Sequence, residues 1–128
     1  MPIRALVVDD FAAIRAFVGS ILESTGEYEV EEVGGGFEAI RSLTRGAYGL
    51  VIADVNMPEL NGIELVRAVR ELPRNAGVPI LVMSTEGRLG DLERARGAGA
   101  SAIITKPFTP EGLLAAVAAA RRAAGGPG

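Results

Sequence analysis

Residues 50–54 read Leu-Val-Ile-Ala-Asp, four apolar side chains followed at once by a carboxylate. A short, uninterrupted apolar run of this kind fits a strand covered on both faces. The same pattern returns on either side. Leu6 to Val8 is followed by Asp9-Asp10, Ile80 to Met83 by Ser84-Thr85, and Ala102 to Ile104 by Thr105-Lys106-Pro107. Between the first two runs lies a weaker strand, Tyr28 to Val33, whose apolar positions are interrupted by Glu29, Glu31 and Glu32. Charges there predict an edge strand.

The intervening segments carry helical spacing. Ile14, Phe17, Val18, Ile21 and Leu22 mark the first helix, stopped by Gly26. Phe37, Ile40 and Leu43 make a short second helix closing near Gly46. The third carries Leu65, Val66, Val69 and Leu72 and ends at Pro73. The fourth, with Leu89 and Leu92 as a thin core stripe, ends at Gly97 or Gly99. The fifth starts with Thr109 as N-cap, Pro110 at the first helical position and Glu111 beside the positive helix end, and buries Leu113, Leu114 and Val117. Five strands alternating with five helices predict a doubly wound α/β domain with a parallel sheet.

The chain has 128 residues, 48% hydrophobic and 23% charged, which suits one domain with its own core. Residues 1–124 are expected to form it, and Gly125, Gly126, Pro127 and Gly128 a flexible tail that suits a chain end or a linker stub. Thirteen basic against sixteen acidic residues give a net charge of −3, so nucleic-acid binding is disfavoured. With neither cysteine nor histidine, disulfides, thiolate nucleophiles, Ser/His/Asp triads and Cys/His zinc sites are excluded. Chemistry must run on carboxylates, hydroxyls, amines and backbone. Only one of the thirteen basic residues, Lys106, is a lysine. The longest apolar stretch, Leu113 to Ala120, is too short to cross a bilayer and the N-terminus does not read as a signal peptide, so a soluble, cytoplasmic chain is expected.

In doubly wound sheets, sites form outside the carboxyl ends of the strands. Asp9, Asp10, Asp54, Ser84, Thr85 and Lys106 all stand at such ends. Singly, each reads as a helix cap or solvated loop residue as readily as a functional one. Together, three carboxylates in one cleft repel each other unless a cation or protons neutralise them. Mg²⁺ meets that need, because it takes a few protein oxygens and keeps its other positions for water or phosphate. A carboxylate attacking phosphorus forms an acyl phosphate, with the ion, Lys106 and the Ser84 hydroxyl over the phosphoryl oxygens.

With these residues the chain resembles the receiver domain of bacterial response regulators, of the CheY-like kind, from Ile3 to about Arg122. The motifs are Asp9-Asp10, Asp54 with Met57-Pro58 and Gly62, Ser84, and Thr105-Lys106-Pro107-Phe108. Agreement of residue type and spacing at four strand ends is specific in a way that an isolated Asp-Asp or Lys-Pro is not. The resemblance implies a flavodoxin-like sheet of order 2-1-3-4-5 in a two-component or phosphorelay pathway. It implies Asp54 as phosphoacceptor, and Asp9 and Asp10 organising Mg²⁺ with Asp54 and the backbone carbonyl of Asn56. Ser84 and Lys106 are then the phosphoryl contacts, and the peptide before Pro107 is cis. It further implies a phosphohistidine donor on a sensor kinase or phosphotransfer protein, and a downstream protein partner on the face of helix four, strand five and helix five. Asn56 and Glu86 stand where the family tunes the phosphoryl lifetime, although Glu86 reads equally as a helix-start residue. Met57-Pro58 and Gly62 read mainly as structural, Pro ending a loop and Gly allowing close packing.

One departure concerns the switch. Many receivers carry an aromatic two residues after the position of Ser101, where this chain has Ile103, so aromatic burial is not the readout here; Ile103 reads as edge-strand packing or as part of a partner surface. Two other functions compete. A haloacid dehalogenase type phosphatase places Asp-x-Asp after its first strand, whereas here the aspartates are adjacent. A receiver-like module that switches without phosphate would usually lack one of the acidic residues or the lysine. Neither G-x-G-x-x-G nor a P-loop follows any strand, and Gly34-Gly35-Gly36 reads as a turn.

Overall fold

The apolar runs become strands, the first three buried on both sides and Ala102 to Ile104 half-buried, and the helical stripes between them supply the cover. The computed structural model describes residues 1–85 and 90–124. In chain order it holds β1 (Ile3–Val8), α1 (Ala12–Ser24), β2 (Tyr28–Val33), α2 (Gly36–Arg45), β3 (Leu50–Asp54), α3 (Gly62–Arg70), β4 (Ile80–Thr85), α4 (Asp91–Ala98), β5 (Ala102–Lys106) and α5 (Pro110–Ala123). The strands form one parallel sheet in the order β2-β1-β3-β4-β5. The Glu-rich β2 lies at an edge, as its charges predict.

Strand alternation divides the core into two layers. Leu6 and Val8 of β1, Val51 and Ala53 of β3, and Ile80 and Val82 of β4 pack with Ala39, Leu43, Leu65, Val66, Val69, Ala95 and Ala98 of α2, α3 and α4. The alternate positions, Ala5, Val7, Leu50, Ile52, Leu81 and Met83, pack with Val18, Ile21, Leu22, Leu113, Val117 and Ala120 of α1 and α5. The helices thus cover both faces, which makes the sheet doubly wound.

Several helix stripes differ from those predicted. In α2, Phe37 is 57% exposed, and the buried face is Gly36, Ala39 and Leu43. Leu60 sits so close to Gly36 that a Cβ there would meet Leu60 Cβ at 2.8 Å, and this contact turns the small residue inward. In α4, Leu92 is 42% exposed, and Asp91, Ala95 and Ala98 face in; Leu89 lies outside the described residues. Phe17 of α1 is 43% exposed and stacks on Phe108 with ring centroids 6.1 Å apart. Helix α3 ends at Arg70, before Pro73, and Leu72 packs half-buried from the following turn. Leu114 is likewise half-buried. The start of α5 is as read, with the Thr109 hydroxyl accepting from Gly112 N at 2.9 Å.

The chain leaves β3 through a tight connection. Gly62 N donates to Val55 O at 3.0 Å. A Cβ on Gly62 would overlap the Asp54 carbonyl oxygen and stand 2.9 Å from its carbon. Asn61 caps α3 and Glu64 returns the bond, its carboxylate accepting from Asn61 N at 2.9 Å. Helix α3 therefore begins pressed against the end of β3. Gly62→Ala is expected to cost about 2 kcal/mol in urea unfolding, because the backbone beside Asp54 must shift. Gly97→Ala, where a Cβ meets nothing within 4 Å on an exposed helix position, is expected to stabilise by about 0.5–1 kcal/mol in the same assay.

Candidate functional site

The two-layer alternation also decides which strand-end side chains meet. Asp9 continues the series Ala5, Val7; Asp54 continues Leu50, Ile52; Lys106 continues Ala102, Ile104. All three series belong to the layer under α1 and α5. Ser84 continues Ile80, Val82, the layer under α4. The acids and the lysine therefore gather on one side of the sheet, and the serine stands on the other.

Asp9 is fully buried and Asp54 is 2% exposed, while Asp10 is open to solvent. One carboxylate oxygen from each lies within 4.8 Å of the other two. Lys106 Nζ approaches Asp54 Oδ1 at 2.9 Å and Asp9 Oδ2 at 3.4 Å. Asp9 Oδ1 also accepts from Phe11 N at 2.9 Å, and Arg15 Nη1 donates to the Asp9 carbonyl at 2.7 Å. Asp54 Oδ1 has the lysine's charge beside it but no well-directed hydrogen bond, and among the described residues it is the buried side-chain oxygen left so. Two buried carboxylates thus share one ammonium, with a third carboxylate at the mouth.

The electrostatics follow. Burial holds the Asp54 pKa above its ordinary 3.8; Lys106 pulls it back only in part, and the charges of Asp9 and Asp10 push it further up. For Lys106, burial acts downward but is outweighed by Asp54 and Asp9, so its ammonium is held above the usual value. A pocket with excess negative charge, an exposed carboxylate at its mouth and an under-satisfied buried oxygen fits a hard divalent cation such as Mg²⁺.

The other predicted positions divide. Asn56 lies half-buried two residues beyond Asp54, its side-chain amide donating to Thr85 Oγ1 at 3.2 Å. The Lys106–Pro107 peptide is cis. Ile103 is half-buried against the α4-side core and beside Val82 in the sheet register. Glu86 lies outside the described residues. Ser84 does not face Asp54: its hydroxyl donates to Asp91 Oδ2 at 2.7 Å. Asp91 escaped the sequence reading because an aspartate opening a helix passes for a solvated end; the signal available was Asp91 and Arg94, one helical turn apart, which form an ion pair.

A model of the response regulator receiver domain matches residues 5–118. The chain belongs to that family. A chemotaxis protein CheY homolog of Campylobacter jejuni is 39% identical over 111 residues, 86% of this chain and 85% of that protein. The solved chemotaxis response regulator CheY4 of Vibrio cholerae superposes with a TM-score of 0.87 at 34% identity, covering 94% of this chain and 99% of that one. The receiver domain of a Pseudomonas aeruginosa sensor histidine kinase, solved with a magnesium ion coordinated in its active-site cleft, gives a TM-score of 0.84 at 28% identity and covers 98% and 100%. This is a CheY-like receiver domain of two-component signalling, and among its described residues no helix is long and apolar enough to cross a membrane.

For this receiver the raised Asp54 pKa has a consequence for stability. The folded chain holds the Asp54 proton more tightly than the unfolded one, so as pH rises above about 3.8 ionisation of this residue works against folding. In metal-free buffer at neutral pH, Asp54→Asn is therefore expected to be more stable by on the order of 1 kcal/mol, a few degrees in Tm. Calorimetry should find the gap narrowing on acidification toward 3.8. Added Mg²⁺ should raise the Tm of the native chain more than that of the variant.

Proposed function

We propose that this receiver takes a phosphoryl group from a phosphohistidine, on a sensor kinase or histidine phosphotransfer protein, onto Asp54. The observation that carries the reading is the Asp54 carboxylate itself, buried at the end of β3 with Lys106 Nζ at 2.9 Å on one oxygen and Asp9 and Asp10 beside it. An Asp54 oxygen attacks phosphorus, the N–P bond breaks, and its electron pair stays on the imidazole nitrogen of the donor. Lys106 then faces the phosphoryl oxygens and offsets part of their charge.

In this reading Asp9, Asp10, Asp54 and the Asn56 carbonyl would hold Mg²⁺, which would neutralise part of the phosphoryl charge. The magnesium reported for the Pseudomonas aeruginosa receiver supports it. The receiver unit runs over residues 1–124, acts in the cytoplasm and signals by a changed affinity for a protein on the face of α4, β5 and α5. It contacts no nucleic acid or membrane directly. The tail at 125–128 lies outside the described residues. Chemistry is confined to its own phosphorylation and dephosphorylation, without turnover of other phosphate esters.

Intact-mass measurement after incubation with acetyl phosphate tests the reading. A single Mg²⁺-dependent adduct is expected on the native chain and none on Asp54→Asn; Lys106→Ala should slow adduct formation by roughly 10²-fold. No adduct on a folded native chain favours a phosphate-independent binding module, and multiple turnovers on varied phosphate esters favour a phosphatase. Once the adduct is formed, Asn56→Ala is expected to change its decay rate severalfold while leaving the circular dichroism spectrum unchanged. Equal decay in both proteins would remove Asn56 from lifetime control.

A further inference from the structure

Ser84 is only 4% exposed, and its hydroxyl is committed. It donates to Asp91 Oδ2 at 2.7 Å, and the other Asp91 oxygen receives Arg94 Nη2. Asp91 is 2% exposed and is the first residue of α4. A buried carboxylate held by a buried hydroxyl ties the end of β4 to the start of α4 in a bond stronger than a neutral one. Ser84 also lies one residue beyond the acceptor's partner on the neighbouring strand. Asp54 pairs with Met83 in the register and Val55 N donates to Met83 O at 2.8 Å, so Ser84 follows directly. A rotation about its Cα–Cβ bond swings the hydroxyl away from Asp91 toward the open end of the strands, while Cβ stays on the α4 side.

A serine hydroxyl has a single proton to donate. It serves Asp91 or a phosphoryl oxygen on Asp54, and not both. We propose that Asp91 is a positioning residue that retains the Ser84 hydroxyl on the α4 side, so that phosphoryl capture at Asp54 competes with Asp91 for that proton and releases α4 from β4. This rests on the reading of Asp54 as the acceptor. It gives the coupling between site and helix a specific bond. When the hydroxyl leaves, Asp91 keeps Arg94 as a partner whose side chain is largely exposed, and the first turn of α4 follows the pair outward.

The test uses the full chain and beryllofluoride with Mg²⁺ as a phosphoryl stand-in, with affinity measured by isothermal titration calorimetry. Asp91→Ala is expected to bind on the order of tenfold more tightly than native, since no acceptor then competes for the hydroxyl. Asp91→Asn, which keeps the shape and a neutral acceptor, should fall between them and carries the test if the alanine variant does not fold. The gain must vanish in the Ser84→Ala background, a dependence that a purely structural role of Asp91 would not produce. Native affinity in both Asp91 variants, or a gain that persists without Ser84, overturns the proposal. Failure of the folded native chain to bind beryllofluoride overturns the acceptor reading, and the proposal with it.

Discussion

Asp9 and Asp54 are withdrawn from water with Lys106 as their shared cation, and Asp10 adds a third charge at the rim. Burial of a carboxylate opposes its ionisation, the charges of Asp9 and Asp10 add to that, and together they hold the pKa of Asp54 above its ordinary value. The arrangement persists because the elements bearing it are fixed by other forces. Asp54 ends a strand whose five residues are all buried, and its carbonyl is pressed by Gly62 at the start of a capped helix. Two apolar layers hold the strand ends in place, and the carboxylates must accept the position they are given. Any cation that relieves the crowding therefore acts on a pocket already built.

The period-two alternation of the strands assigns different work to the two sides of the sheet. Asp9, Asp54 and Lys106 share the α1/α5 side, where charge is concentrated, and Ser84 stands on the α4 side with Val82 and Ile103. In the proposed reading a signal from Asp54 to α4 has to cross the sheet edge, where Ser84 stands bonded to Asp91. Ile103 packs as an aliphatic beside Val82, so the α4 side of β5 carries no ring, and the hydrogen bond between β4 and α4 is at the helix's first residue.

The strands and their order of polar ends were legible because full burial on both faces leaves no room for a polar residue until the strand stops. Asp9 after Val8 and Asp54 after Ala53 mark those ends in the sequence itself. The helix faces were less legible. In α2 and α4 the large apolar residues Phe37 and Leu92 draw the eye, but the core side is set by what the neighbouring element leaves space for, which is Gly36, Ala39 and Leu43 in one and Ala95 and Ala98 in the other. Asp91 was missed for the same reason. Once α4 is rotated so that its small residues face inward, its first residue comes with them, and an apparent cap becomes a buried acceptor for Ser84.

The two ends of the sheet handle buried polarity in opposite ways. At the amino ends, Asn75 donates to Leu43 O at 2.5 Å and Gly46 O at 2.9 Å and accepts from Tyr48 N at 3.0 Å. Arg70, its pKa lowered by burial, donates to the carbonyls of Gly99, Ala76 and Val78. These networks tie three loops together with their polar groups matched, and such satisfied networks rigidify a structure. At the carboxyl ends the buried groups are charged, unequal in sign and incompletely bonded, with Asp54 Oδ1 lacking a directed donor. Rigidity at one end is what lets the other remain unsatisfied without collapsing. On the proposed reading, a change in the partners available to Asp54 acts first on Lys106, which bonds it, and on Ser84 at the end of the neighbouring strand, not on the matched networks at the opposite end.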